Sequence, residues 1–127
     1  MVSRLPFKSL LNIIEGKVSQ PRRFVLKFYN NKCHYCRALH DTYVELSEDP
    51  SNEDFYFHAF NTWDAPPNYF GAKLNFEGVP TICIIDAMPG RDAQYKVIAD
   101  PSKPNKTTYY SKGHIQKFIS NYRNSNG

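Results

Sequence analysis

The sequence predicts an α/β fold, a mixed sheet of four to five strands sandwiched by helices. Three observations lead there. Apolar, β-prone runs near residues 24–29, 55–60 and 81–86 alternate with segments whose apolar residues follow helical spacing. The third run is closed by the turn signal Met88-Pro89-Gly90 and followed by a further extended stretch within 94–98, so the order reads α-β-α-β-α-β-β-α. Neither a repeat nor a linker divides the chain. Its 127 residues are therefore expected to form one domain, 1–127, with a core over about 7–123 and a polar, frayed tail over 124–127.

Each element has a local cause. Phe7, Leu10, Leu11 and Ile14 recur at i, i+3, i+4 and i+7, one apolar stripe on a short helix ended by Gly16. Phe24-Val25-Leu26-Lys27-Phe28-Tyr29 reads as a buried strand. Helical spacing starts at Cys33 and continues through Leu39, Tyr43 and Leu46 to about Ser47, where Asp49-Pro50-Ser51-Asn52 breaks it. Phe55 to Phe60 reads as a second strand, with the mixed apolar character of a sheet interior. Pro66-Pro67 opens a short helix carrying Tyr69, Phe70 and Leu74. Gly78-Val79-Pro80 leads into the third strand, Thr81 to Asp86. The polar stretch 100–106 reads as an exposed loop, and Thr107 to Tyr110 as a further candidate extended segment. Ser111 caps a final helix on which Ile115, Phe118, Ile119 and Tyr122 again follow i, i+3, i+4 and i+7.

Composition excludes several classes. Hydrophobic residues make up 41% of the chain, with nine Phe and nine Tyr, which fits a folded core. The net charge of +4 makes the surface modestly basic. The positive residues are scattered, without a basic run or an interleaved stacking motif, so nucleic acid is not an expected partner. No segment approaches the roughly 18 apolar residues needed to span a membrane. Met1-Val2-Ser3-Arg4-Leu5-Pro6 lacks the apolar region and cleavage site of a secretory signal, so a cytoplasmic location is expected unless the chain is a processed form or part of an assembly. Three cysteines are too few and too unevenly placed for a disulfide framework. Cys83, inside the run Thr81-Ile82-Cys83-Ile84-Ile85, reads as a small buried core residue.

Cys33-His34-Tyr35-Cys36 carries the chemistry. Two thiols three residues apart at a strand-to-helix junction share one helix face and can reach bonding distance without backbone movement. The helix N-terminus presents unpaired N–H groups and a positive dipole end, which favour a thiolate over a thiol.

This order of elements, with CxxC after the first strand and Gly78-Val79-Pro80-Thr81 before the third, resembles the thioredoxin superfamily over roughly residues 7–123. The resemblance implies a thioredoxin-like fold and a thiol–disulfide oxidoreductase acting on protein disulfides or dithiols. Cys33 would be the attacking and Cys36 the resolving cysteine. It also implies that the Val79–Pro80 bond is cis and lies against the dithiol, leaving the backbone groups of Val79 free to pair with an extended substrate segment. The residues alone also allow an ordinary proline at the start of a strand. The motif matches no single branch. Thioredoxins resemble C-G-P-C, disulfide isomerases C-G-H-C and glutaredoxins C-P-Y-C. Tyr35 is glutaredoxin-like, yet Asp86-Ala87-Met88-Pro89-Gly90 stands where glutaredoxins carry a Gly-Gly-Asp type signature. Lys32 replaces the tryptophan usual before the first cysteine. Lys27 stands where thioredoxins and isomerases have a buried carboxylate that helps take the second thiol's proton; the simplest expectation is that its stem carries the ammonium out to the surface.

Lys27, Lys32, His34 when protonated and Arg37 all place positive charge near Cys33. They stabilise the thiolate and predict a dithiol less reducing than thioredoxin's, although His34 could equally be a solvent-exposed imidazole. The electron partner, glutathione or a protein reductase, is not encoded in any motif.

Two other classes compete. Cys33, Cys36 and His40 at i, i+3 and i+7, with His34, suggest a metal site. However, no second Cys/His pair is spaced for zinc, and ligands on one rigid helix converge poorly on a tetrahedron. No metal and no cofactor are therefore expected. The missing carboxylate and tryptophan also allow a thioredoxin-fold binding or structural subunit of a larger assembly. Retention of both cysteines argues against that. His40, facing outward on its helix, His58 and His114 are expected to be structural. Trp63, which with Asp64 follows the second strand, is expected to pack.

Overall fold

The computed structural model describes residues 2–126. The chain runs β1 (Ser3–Arg4), α1 (Phe7–Ile14), β2 (Arg22–Tyr29), α2 (His34–Glu48), β3 (Tyr56–Asn61), α3 (Tyr69–Leu74), β4 (Thr81–Met88), β5 (Arg91–Val97) and α4 (Lys112–Asn126), with 3-10 turns at Pro50–Asn52 and Thr62–Asp64. The strands form one sheet in the order β1-β3-β2-β4-β5. β3 is parallel to both β1 and β2, whereas β4 runs antiparallel to β2 and β5 to β4. This is the thioredoxin-like α/β architecture the sequence predicts.

The fifth strand is not where the sequence suggested. Thr107 to Tyr110 stays outside the sheet, held by an isolated bridge between Asn105 and Tyr109. The edge strand is instead β1, whose Ser3 and Arg4 pair with His58 and Ala59. Both β1 residues are exposed and polar, so no apolar alternation announces them. At the other end α4 continues to Asn126, so residues 124–126 are helical rather than a frayed tail; Gly127 lies outside the described residues.

Strand alternation divides the core in two. Phe24, Leu26 and Phe28 of β2 face α1 and α3, packing among Leu10, Ile14, Phe70 and Leu74. Val25 points the other way, among Leu39, Tyr43 and Leu46 of α2 and Ile115 and Ile119 of α4. β4 follows suit, with Cys83 and Ile85 on the first side and Ile82 and Ile84 on the second; Cys83 is fully buried, as expected. Lys27 shares the parity of Val25, and the pleat therefore directs it toward α2. The Tyr43 hydroxyl bonds across this layer to the carbonyls of His58 (2.7 Å) and Val25 (2.9 Å), tying α2 to the parallel pair β2/β3.

Gly16 ends α1 with φ of +79°, and a Cβ there would overlap the Arg91 backbone. Its carbonyl accepts the Gly90 N–H at 2.9 Å, fastening α1 to the β4–β5 turn.

Candidate active site

β2 ends at Tyr29, and three residues turn the chain into α2. The backbone N–H groups of Lys32 and Cys33 donate to the side-chain oxygen (3.0 Å) and the carbonyl (3.3 Å) of Asn30. Asn61, at the end of β3, donates its side-chain amide to Asn31 at 2.8 Å. The loop is thereby pinned on both sides. Cys33 occupies the N-cap of α2 in an extended conformation, and its Sγ accepts the Cys36 N–H at 3.1 Å. Cys33 and Cys36 are joined by a disulfide with Cα atoms 5.2 Å apart. Cys33 is half-buried, whereas Cys36 is 3% exposed. Negative charge forming on Cys33 would sit at the positive end of a 15-residue helix.

The side in front of the disulfide is aromatic. His34 is exposed and its ring meets Tyr35 edge-on at 5.6 Å; Tyr35 in turn meets Tyr109 at 5.7 Å. The Val79–Pro80 peptide bond is cis. Both residues line a cavity of about 520 Å³ together with Tyr35, Tyr109, Tyr110 and Asp100. The Tyr110 hydroxyl donates to the Pro80 carbonyl at 3.3 Å. Tyr109 and Tyr110 escaped the sequence reading of the site because they lie in the candidate extended segment 107–110, far along the chain from the two cysteines. The available signal was Asn105, whose side chain accepts the N–H groups of Thr107 (2.8 Å) and Thr108 (3.0 Å) and turns the chain back. Tyr109 follows that turn with φ of +65°.

The side behind the disulfide is cationic. Lys27 does not run out along the open surface: its stem is covered, it is 4% exposed, and its ammonium lies over the rings of Tyr43 (5.2 Å) and Tyr29 (5.7 Å) at the border of a cavity. β2 is a central strand covered by α2, so the stem has no free edge along which to run out. Among the described residues no carboxylate pairs with it. Burial pushes its pKa down to about 8. With Cys36, Arg37 and His40 it lines a second cavity of about 490 Å³. Arg37 is exposed and donates to the Asn31 carbonyl at 3.1 Å; Lys32 is exposed beside it.

The remaining candidates separate. His40 is exposed, as expected, but borders the rear cavity. His58 is half-buried with Nδ1 2.9 Å from the Ser3 hydroxyl, and burial lowers its pKa. His114 packs edge-on against Tyr110 at 5.6 Å. Trp63 does not pack: a 3-10 turn carries it outward, 54% exposed, while neighbouring Asp64 takes a bidentate bond from Arg4. Among the described residues, no three His, Cys, Asp or Glu side chains converge as a metal site.

The family model for thioredoxin matches residues 12–102. The chain belongs to the thioredoxin family. This thioredoxin-family chain is similar in structure to the thioredoxin of Malassezia sympodialis (Mala s 13; 12% identity, TM-score 0.62, covering 95% of this chain and 90% of that one). It is also similar to chloroplastic thioredoxin z (16%, TM-score 0.64, covering 97% and 95%). A third match comes from work on thiol resolution of a yeast mitochondrial 1-Cys peroxiredoxin by the glutathione and thioredoxin systems (13%, TM-score 0.60, covering 94% of each chain). At such identities the likeness is one of fold. No curated protein sequence matches the chain. The thioredoxin domain and the Cys33–Cys36 pair together support a place among thiol–disulfide oxidoreductases. Among the described residues no helix is long and apolar enough to cross a membrane.

Proposed function

We propose that this protein catalyses thiol–disulfide exchange on protein disulfides and dithiols, with Cys33 as nucleophile and Cys36 as resolving cysteine. The observation that carries this reading is the asymmetry of the pair: Cys33 is half-buried at the helix N-cap, while Cys36 lies 3% exposed behind it. A substrate sulfur can approach only the first. The reduced protein's Cys33 thiolate attacks a substrate disulfide, forming a mixed disulfide and releasing one substrate thiolate. The Cys36 thiol then loses its proton and attacks the Cys33 sulfur. The second substrate thiolate leaves, and the protein disulfide re-forms. Two electrons pass from protein to substrate; the reverse sequence oxidises a substrate dithiol. Glutathione or a protein reductase would close the cycle.

Val79 and Pro80 form the substrate side. Pro80 has no N–H, so the polar backbone groups of Val79 are left to pair with an extended segment laid across the groove. Lys32 and Arg37, joined by His34 when it is protonated, place positive charge near the sulfurs, and no carboxylate appears among the residues lining the rear cavity. Positive charge stabilises the reduced, thiolate form, so the disulfide should be a stronger oxidant than thioredoxin's.

Insulin reduction driven by dithiothreitol tests the activity. Wild-type protein should accelerate precipitation, and Cys33→Ser should fall to the uncatalysed rate. Equal rates for the two would instead identify a thioredoxin-fold binding subunit. Equilibration against glutathione should return a potential above about −270 mV, the value typical of thioredoxin; a lower one would sink the claim about poise.

A further inference from the structure

We propose that the cavity behind Cys36 is a binding site for a carboxylate anion. Its lining contains three cationic side chains, Lys27, Arg4 and Arg37, with His40 beside them, and no acidic residue. The Arg4 guanidinium is already committed to Asp64, at 2.6 to 2.9 Å. Lys27 and Arg37 remain, Arg37 with one guanidinium nitrogen donating to the Asn31 carbonyl at 3.1 Å and its other N–H groups without a protein acceptor among the described residues.

Lys27 decides the matter. It is 4% exposed, it borders the cavity, and among the described residues neither a hydrogen-bond acceptor nor an ion-pair partner meets its ammonium. An ammonium confined to the border of this cavity keeps little of its hydration and has no counter-charge, and the two tyrosine faces near it offset only part of that loss. An anion entering from solvent completes the pair. The cavity's shape selects the kind of anion. Arg37 offers planar donors suited to two carboxylate oxygens, while Val2, Ala59 and the Tyr29 ring form an apolar wall for a short hydrocarbon part. At about 490 Å³ the space accepts a free dicarboxylate or the acidic side chain of a docked protein.

This site goes beyond the redox reading and holds whether or not the cysteines turn over. Occupancy is linked to the charge on Lys27, so binding should weaken as pH rises through about 8. The other titratable or charged groups around the ammonium are Arg4 with Asp64 from the β1 side, Tyr29 from β2, and Arg37, His40 and Tyr43 from α2.

The test is a ¹³C NMR titration of the Lys27 side chain in the oxidised protein, with the resonance assigned by through-bond connectivity. One arm replaces chloride by succinate at constant ionic strength. The other adds a peptide containing a single Glu, with its Gln twin as control. The titration midpoint of Lys27 should rise; each rise of one pH reports about a tenfold preference of the anion for the charged form. The rise should shrink severalfold in Arg37→Gln. A rise with succinate assigns a free carboxylate as ligand, and a rise with the Glu peptide alone assigns an acidic residue of a partner. The proposal is overturned if neither arm moves the midpoint, if the Gln twin moves it as far as Glu, or if Arg37→Gln leaves the rise unchanged. None of these readouts depends on cysteine turnover, so failure here would leave the insulin result standing, and the converse.

Discussion

On one side of the Cys33–Cys36 turn, reached through Tyr35, a groove is walled by Tyr35, Tyr109 and Tyr110 around the Val79–Pro80 bond; on the other, Cys36 lines a cavity with Lys27 and Arg37. The same helical turn supplies residues to both sides, so the neighbours Tyr35 and Cys36 border two unlike environments. The front is walled by aromatic rings beside the cis Val79–Pro80 bond. The rear is built for charge, since a lysine ammonium is held under tyrosine faces without a carboxylate. Because the two cavities share no lining residue, one can be altered by substitution without touching the other.

The sharpest way to break this comparison is to remove the rear sulfur. Cys36→Ala should still be attacked at Cys33 but not resolved. Turnover with insulin should fall to background while a covalent mixed disulfide accumulates, visible as an added mass that dithiothreitol removes. If substrate adducts form at residue 36 in Cys33→Ala as readily, the front and rear assignments are wrong.

Lys27→Met comes next and sharpens the electrostatic half. The folded-state pKa of Lys27 is lowered from 10.5 to about 8, so the charged form is disfavoured in the fold. The penalty is fully present below pH 8 and vanishes as pH rises to 10.5, where lysine is neutral both folded and unfolded. A fall of that size corresponds to roughly 3 kcal/mol as an upper bound. Lys27→Met should therefore be more stable than wild type at pH 7 in urea unfolding, by up to that amount, with the gain declining between pH 8 and 10.5. Buried tyrosines such as Tyr110, whose pKa is raised by burial, ionise in the alkaline range and destabilise both proteins, so the difference between the two is the quantity to measure. A gain independent of pH would mean that lost packing strain, not charge, is responsible.

The smallest effect belongs to the front wall. Tyr109→Ala removes one ring of the tilted pair with Tyr35, an interaction of about 1 kcal/mol. The KM for insulin should rise about fivefold with kcat nearly unchanged. A fall in kcat alone would place Tyr109 in the chemistry rather than in the groove.

Legibility in the sequence followed the physical origin of each feature. The helices and central strands were readable because their periodicity reports burial directly: Leu39, Tyr43 and Leu46 are all fully buried on α2. The disulfide and Pro80 were readable because their spacing is itself the chemistry. β1 was not, because two polar residues owe their strand conformation wholly to pairing with β3. Lys27 misled for a related reason. A lysine's long stem usually lets it escape, and only the position of β2 between β3 and β4, beneath α2, removes the exit. The tyrosine wall was hidden in a loop whose fold depends on one asparagine side chain. Trp63 looked like core material by residue type, yet the 3-10 turn at Thr62–Asp64 directs it to solvent.

β1 has a consequence for how copies of this protein meet one another. A parallel strand at a sheet margin normally leaves a row of unused donors and acceptors that a second chain could extend into a continuous ladder. Here Ser3 and Arg4 occupy that row opposite His58 and Ala59, and Arg4 is anchored sideways by Asp64. The opposite margin, β5, displays Arg91, Asp92 and Lys96 toward solvent. One border is a polar strand of only two residues and the other is studded with charge, so neither offers a long apolar template, and edge-to-edge polymerisation is discouraged by two unrelated devices in one small sheet.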